Sequence, residues 1–81
     1  MKTRTEIEGA VIAALMSVAP EADPSAIDRT RPLREQLDID SMDFLNFVVA
    51  VHNGLGVDIP ERDYPKIATL ESTIDYLVSK T

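Results

Sequence analysis

The sequence predicts an all-α domain, and three observations carry that expectation. Apolar residues recur at helical spacing near both ends of the chain, a second apolar stretch starts at a central serine, and all five prolines fall outside these stretches. A chain of 81 residues makes one domain, residues 1–81, and buries only about 60–65% of its unfolded surface, so its core leaves little room for an internal active site. At 44% apolar and 27% charged residues, it has the balance of a globular domain and not of a disordered tail.

The first helix is expected from about Thr5 to Val18, where Ile7, Val11, Ala14, Leu15 and Val18 share one stripe. Two capping boxes fit its start equally well, Thr5 with Glu8 and Thr3 with Glu6. Pro20 closes it. From Pro20 to Asp40 runs a long connection whose apolar anchors are Ile27, Leu33, Leu37 and Ile39. A loop of that length is functional or contains a short helical turn, and Pro24-Ser25-Ala26-Ile27-Asp28 fits such a turn.

The second helix is expected from Ser41 to about Asn53, with Asn53-Gly54-Leu55-Gly56 supplying residues that tolerate left-handed geometry and end it. Met42, Phe44, Leu45, Phe47, Val48, Val49 and Val51 cover most of its circumference. So small a domain cannot bury such a helix all round. The stripe Met42, Leu45, Val49 is therefore expected at the surface, and Val48 and Val51 in the core beside Ile7, Val11, Ile74 and Leu77. Phe44 and Phe47 are also read as core. Val57-Asp58-Ile59-Pro60 is short and extended, and Pro60 to Tyr64 forms one helical turn that Pro65 stops. The last helix opens with Thr69 as N-cap and places Leu70, Ile74, Leu77 and Val78 on one buried stripe, leaving Glu71 and Asp75 outside.

Several chemistries are excluded by composition and spacing. Without cysteine there is no disulfide, thiolate or zinc–cysteine site. The run Phe47-Val48-Val49-Ala50-Val51 is far short of the ~20 residues of a membrane span. Met1-Lys2-Thr3-Arg4-Thr5-Glu6 has no apolar signal region, so a cytoplasmic protein is expected. His52 follows Ser41 by eleven residues on one helix, roughly 16 Å along its axis, which rules out a Ser–His dyad. It is expected at the surface. Asp38, Asp40 and Asp43 faintly resemble a calcium loop, but its third ligand would be Met42, its glycine Asp43 and its closing glutamate Val49, so no metal is expected. Gly9, Gly54 and Gly56 do not make a phosphate loop, and no aromatic–basic cluster points to nucleic acid.

The net charge of −6 is concentrated in one place. In residues 1–34, Lys2, Arg4, Arg29, Arg31 and Arg34 offset Glu6, Glu8, Glu21, Asp23 and Asp28, and in residues 64–81, Lys66 and Lys80 offset Glu71 and Asp75. Between them Glu35, Asp38, Asp40, Asp43, Asp58, Glu61 and Asp63 face a single base, Arg62. Such a field keeps a face solvated, repels nucleic acid and anionic membrane, and attracts basic protein surfaces.

Ser41 has two readings. As structure, Asp40 or Ser41 caps the helix, and Asp43 favours the positive end of its dipole. As function, one of the pair caps while the other faces solvent at a helix end that supports a phosphodiester. Asp40-Ser41-Met42 resembles the Asp-Ser-Leu signature of acyl and peptidyl carrier proteins. The likeness extends through Leu37-Asp38-Ile39, the second helix, Gly56-Val57-Asp58-Ile59-Pro60, Lys66-Ile67-Ala68-Thr69-Leu70 and Ile74-Asp75-Tyr76-Leu77, essentially the whole chain.

That resemblance implies a four-helix bundle with a short third helix and a long first loop. It also implies 4'-phosphopantetheine joined covalently to Ser41 by a separate phosphopantetheinyl transferase that uses coenzyme A. The arm then brings the thiol that the chain lacks, and holds cargo on it as a thioester. Asp40, Met42, Asp43, Leu45 and Val49 are the expected partner-docking residues, Met42 because its equivalent in the family faces partner enzymes. Carriers of fatty-acid synthesis have a strongly acidic second helix, whereas this chain has Asn46, His52, Asn53 and Gly54 there, and only Asp43 is acidic between Ser41 and Val57. The expectation is thus a stand-alone, monomeric, non-catalytic acyl carrier of a dedicated pathway, served by a ligase and a downstream synthase or transferase. The alternatives are an aminoacyl or peptidyl carrier loaded by an adenylating ligase, or a helical interaction module in which Ser41 is only a cap and Met42, Leu45 and Val49 dock a partner helix.

Overall fold

Thr3 starts the first helix. In the computed structural model, which describes residues 2–80, its hydroxyl accepts the Glu6 N–H at 3.1 Å and donates to the Glu6 carboxylate at 3.3 Å. Of the two starts that fit the sequence, Thr3 is the N-cap, with the Glu6 carboxylate bonded to its hydroxyl instead of its N–H, and helix α1 runs Arg4–Val18. Ile7, Val11, Ala14 and Leu15 are buried, Val18 is half-buried, and the Ala19 N–H bonds back to Leu15 before Pro20 ends the run. Met1 and Thr81, the ends of the expected domain, lie outside the described residues.

The long connection contains two short elements. The expected turn is a 3-10 segment, Pro24–Ala26, capped by the Asp23 carboxylate. The other, helix α2 (Leu33–Gln36), has no signal in the sequence at this length and forms through its anchors. Buried Leu33 donates its N–H to the Ala68 carbonyl at 2.8 Å, and the Glu71 N–H bonds to the Arg29 carbonyl at 3.0 Å. The Gln36 amide closes the loop on itself, accepting the Asp28 N–H at 2.8 Å and donating to the Asp28 carbonyl at 2.7 Å. Arg29 bridges Glu8 at 2.6 Å and Glu71 at 3.0 Å, while Arg4 bridges Glu71 at 2.6 Å and Asp75 at 2.9 Å. Each pair is partly exposed and stabilises little alone, yet together they join α1, the loop and the last helix.

Helix α3 spans Ser41–Leu55 and ends at Gly56, whose φ of 69° is the left-handed geometry that glycine adopts without a Cβ clash. Asn53 and Gly54 stay helical, so the helix is longer than expected. Phe47 and Val51 are fully buried and Val48 nearly so. Next comes a 3-10 helix, Glu61–Ile67, which passes through Pro65 instead of stopping there. The φ that the proline ring imposes is that of a 3-10 helix, and the exposed position leaves the carbonyl without a donor open to water.

Helix α4 (Leu70–Lys80) opens on Thr69, whose hydroxyl accepts the Ser72 N–H at 3.0 Å while the Ser72 hydroxyl accepts the Thr69 N–H at 3.2 Å. Leu70, Ile74 and Leu77 are buried as expected, but Val78 is 39% exposed. The buried arc runs from Tyr76 through Thr73, Leu77 and Leu70 to Ile74, and Val78 falls just past its edge at 100° per residue. Helix α1 packs on both α3 and α4, and α4 packs on the 3-10 helix. The result is an all-α fold with a long first loop, in which the 3-10 helix Glu61–Ile67 takes the place of the expected short third helix, and without a strand among the described residues.

One contact joins two elements through side chains that no local pattern pairs. The Tyr76 hydroxyl donates to the buried Asp63 carboxylate at 2.6 Å and fastens the 3-10 helix to α4. Burial, and then that hydrogen bond, push the Tyr76 hydroxyl up to about 12, while the hydroxyl holds Asp63 below the usual carboxylate range.

Two predictions follow from this packing. Val51→Ala should cost about 1–3 kcal/mol through lost burial and residual cavity, whereas Met42→Ala, at 66% exposure, should stay within ~0.5 kcal/mol of wild type in urea unfolding. Tyr76→Phe should cost about 1–3 kcal/mol by leaving Asp63 short of a donor. Its pH dependence has two signs. The Asp63 contribution is complete above its ordinary value of 3.8 and is lost as pH falls through the lower folded value; the Tyr76 contribution is complete below 10.0 and is lost as pH rises toward about 12. Unfolding free energies of Tyr76→Phe across pH should lack the alkaline loss and show a smaller acid one.

Candidate functional site

The start of α3 assigns separate tasks to Asp40 and Ser41. The Asp40 carboxylate accepts the Asp43 N–H at 2.8 Å, and the Asp43 carboxylate reaches back to the Asp40 N–H at 3.4 Å. This is a capping box built from two carboxylates, with the negative charge at the positive end of the helix dipole. Ser41 is thereby the first helical residue and not the cap. It is exposed, and its hydroxyl has no hydrogen-bond partner among the described residues.

Beside Ser41 lies an open cleft of about 480 Å³ between α3, the 3-10 helix and the start of α2. Phe44, Leu45, Tyr64 and Pro65 supply apolar wall, and Arg34 and Glu61 are its charged members. The Phe44 ring meets Tyr64 edge-on, centroids 5.5 Å apart at 74°, and lies 6.2 Å from the fully buried Phe47. Of the two phenylalanines expected in the core, only Phe47 is wholly there; Phe44 is half-buried and shared with the cleft.

Met42, Leu45 and Val49 are 66%, 47% and 54% exposed, and with Val78 they are the exposed large apolar residues among those described. Of the docking candidates, Met42, Asp43, Leu45 and Val49 lie on α3 with Ser41 at its head, and Asp40 is its N-cap. His52 stands apart at the far end. Its Nδ1 lies 3.2 Å from the Val57 carbonyl and 3.1 Å from an Asp58 carboxylate oxygen, two acceptors that place a hydrogen on that nitrogen and clip the chain after α3. Among the described residues no three His, Asp or Glu are grouped to hold a metal ion, and no helix is long and apolar enough to cross a membrane.

Arg34, Glu61, Tyr64 and Pro65 could not be placed at this site from sequence. Phe44 had a signal, since it follows Ser41 by three residues and shares its side of the helix. The others come from the loop and the 3-10 helix, where no periodicity says what faces what.

An unengaged primary hydroxyl at a helix start, with an open apolar cleft alongside, fits a covalently tethered flexible group. A family model described as a phosphopantetheine attachment site matches residues 10–77. The chain is 32% identical to the acyl carrier protein of Rubrobacter xylanophilus over 69% of both chains. It is 28% identical to that of Thermosynechococcus vestitus over 88% of this chain and 83% of the relative. A mitochondrial acyl carrier protein of Neurospora crassa is 28% identical over 72% of this chain and 43% of that one. The chain belongs to the acyl carrier protein family, whose prosthetic group is covalently attached 4'-phosphopantetheine and whose members are carriers.

The cap geometry yields a prediction about stability alone. Asp40→Ala should cost roughly 0.5–2 kcal/mol as the capping bond is lost, whereas Ser41→Ala should change stability by less than about 0.5 kcal/mol. Urea unfolding of the two variants, without any prosthetic group, measures this difference directly.

Proposed function

We propose that Ser41 is the residue to which 4'-phosphopantetheine is joined, and that residues 1–81 form one non-catalytic acyl carrier domain. The observation that carries this reading is the division of labour at the head of α3, where Asp40 caps and leaves the Ser41 hydroxyl exposed and unengaged. When attached, the arm supplies a thiol on which cargo is held as a thioester. The chain itself has no cysteine to compete with it.

The chain's own residues then present Ser41 to other proteins. Asp40 and Asp43 put negative charge beside the hydroxyl, which steers it toward a basic surface on a phosphopantetheinyl transferase. Met42, Leu45 and Val49 offer the exposed apolar stripe for that enzyme, for an acyl ligase and for the downstream synthase or transferase. On this reading the carrier works as a cytoplasmic monomer in a dedicated pathway, without nucleic acid or membrane. A second reading, an aminoacyl carrier loaded by an adenylating ligase, is favoured by the neutral middle and end of α3, where Asn46, Asn53 and Gly54 stand.

Intact mass after incubation with coenzyme A and a broad-specificity transferase tests the proposal. Wild type should gain the mass of the arm and Ser41→Ala should gain nothing. A Ser41→Ala protein that still gains it, or a wild type that never does, removes Ser41 from this role. The second outcome would leave the exposed stripe as the face of a plain interaction module.

A further inference from the structure

We infer that Arg34 is the counter-charge for the phosphodiester that joins the arm to Ser41, an inference that rests on the Ser41 reading above. The first turn of α3 already carries a great deal of negative charge. Asp40 and Asp43 close the capping box with their carboxylates, which match the positive end of the helix dipole and occupy the N–H groups of both residues. Of the N–H groups that a helix start leaves over, those of Ser41 and Met42 remain. A phosphodiester on Ser41 adds one more full charge beside both carboxylates, with exposed Asp38 just ahead of them and Glu61 in the same cleft. A helix end that would by itself welcome an anion is here already matched.

Arg34 is the cation that lines the cleft together with Ser41. Among the described residues its guanidinium makes no ion pair and no hydrogen bond, unlike Arg4 and Arg29, which are engaged by Glu71, Asp75 and Glu8. The backbone that carries it is fixed, because its neighbour Leu33 is buried and bonded to Ala68, itself a residue of the cleft. Arg62, the base inside the acidic segment, is not among the cleft residues. A guanidinium suits the task, since its planar fork of donors matches two phosphate oxygens at once.

Thermal melting of the apo and arm-bearing forms of wild type, Arg34→Gln and Arg34→Lys tests this. Attachment of the arm should leave wild type nearly unchanged at low salt, with Arg34→Lys, which keeps the charge but not the fork, between wild type and Arg34→Gln. It should lower the melting temperature of Arg34→Gln by roughly 2–6 °C, the shift that one exposed charge pair gives a domain of this size. The difference should vanish in 1 M salt, where screening contracts to about 3 Å. A merely structural role for Arg34 would move apo and arm-bearing forms alike, and the apo melts report it. An apo-to-holo change that is the same in all three proteins overturns the inference and leaves Ser41 in place. A wild type that never gains the mass of the arm overturns both.

Discussion

The carboxylate of Asp40 determines where α3 begins, and the rest of the site depends on that starting point. With Asp40 as cap, Ser41 is the first helical residue and its side chain is left out of the capping bonds. Phe47, Val48 and Val51 face the core, where α3 packs on α1, and Met42, Leu45 and Val49 on the same helix face out. Had Ser41 been the cap, its hydroxyl would have been occupied by a backbone N–H and the helix would have begun one residue later. A cap worth about 1 kcal/mol therefore has a chemical consequence larger than its energy, because it decides whether a hydroxyl is free to react.

The cleft beside Ser41 exists because the loop before it is not loose. A connection with so few apolar anchors cannot be held by burial alone, and the chain holds it by hydrogen bonds from the loop to the start of α4. Leu33 to Ala68 and Glu71 to Arg29 are backbone bonds, which hold Pro32 and Arg34 at the cleft that the 3-10 helix also lines, whatever their side chains do. On the opposite side of that helix's register, Asp63 is bonded to Tyr76 while Tyr64, the next residue, meets Phe44. The short helix is thus gripped by α4 through one residue and lines the cleft with its neighbour.

Periodicity made the long helices legible, because an apolar stripe against a polar remainder is a property of one segment alone. It identified α1, α3 and α4 and put Ile7, Val11, Val51, Ile74 and Leu77 in the core. It did not find α2, whose four residues are helical through contacts with residues more than thirty positions away. Proline at position 65 misled for a related reason, since the rule that it stops helices is a rule about α-helices, and the element is 3-10. Tyr76 and Asp63 are thirteen residues apart on different elements, and nothing in either local pattern announces the pair. Site residues divide the same way: those on α3 could be read from the sequence, and those across the cleft could not.

The charge pattern of α3 also bears on how a partner would meet it. From Asp43 to Val49 is six residues, about 9 Å along the axis, close to the Debye length of about 10 Å at 0.1 M salt. The acids at the head of the helix therefore act strongly near Ser41 and Met42 and weakly at Val49, where no acid of the helix replaces them. Along the remainder of the stripe, desolvation of Leu45 and Val49 is the larger contribution available. On the proposed reading, a partner of this carrier needs basic groups only where the arm is joined, and an apolar surface beyond it. That requirement differs from one made by a helix acidic along its whole length, and it gives the chain a way to discriminate among enzymes that all recognise the same prosthetic group.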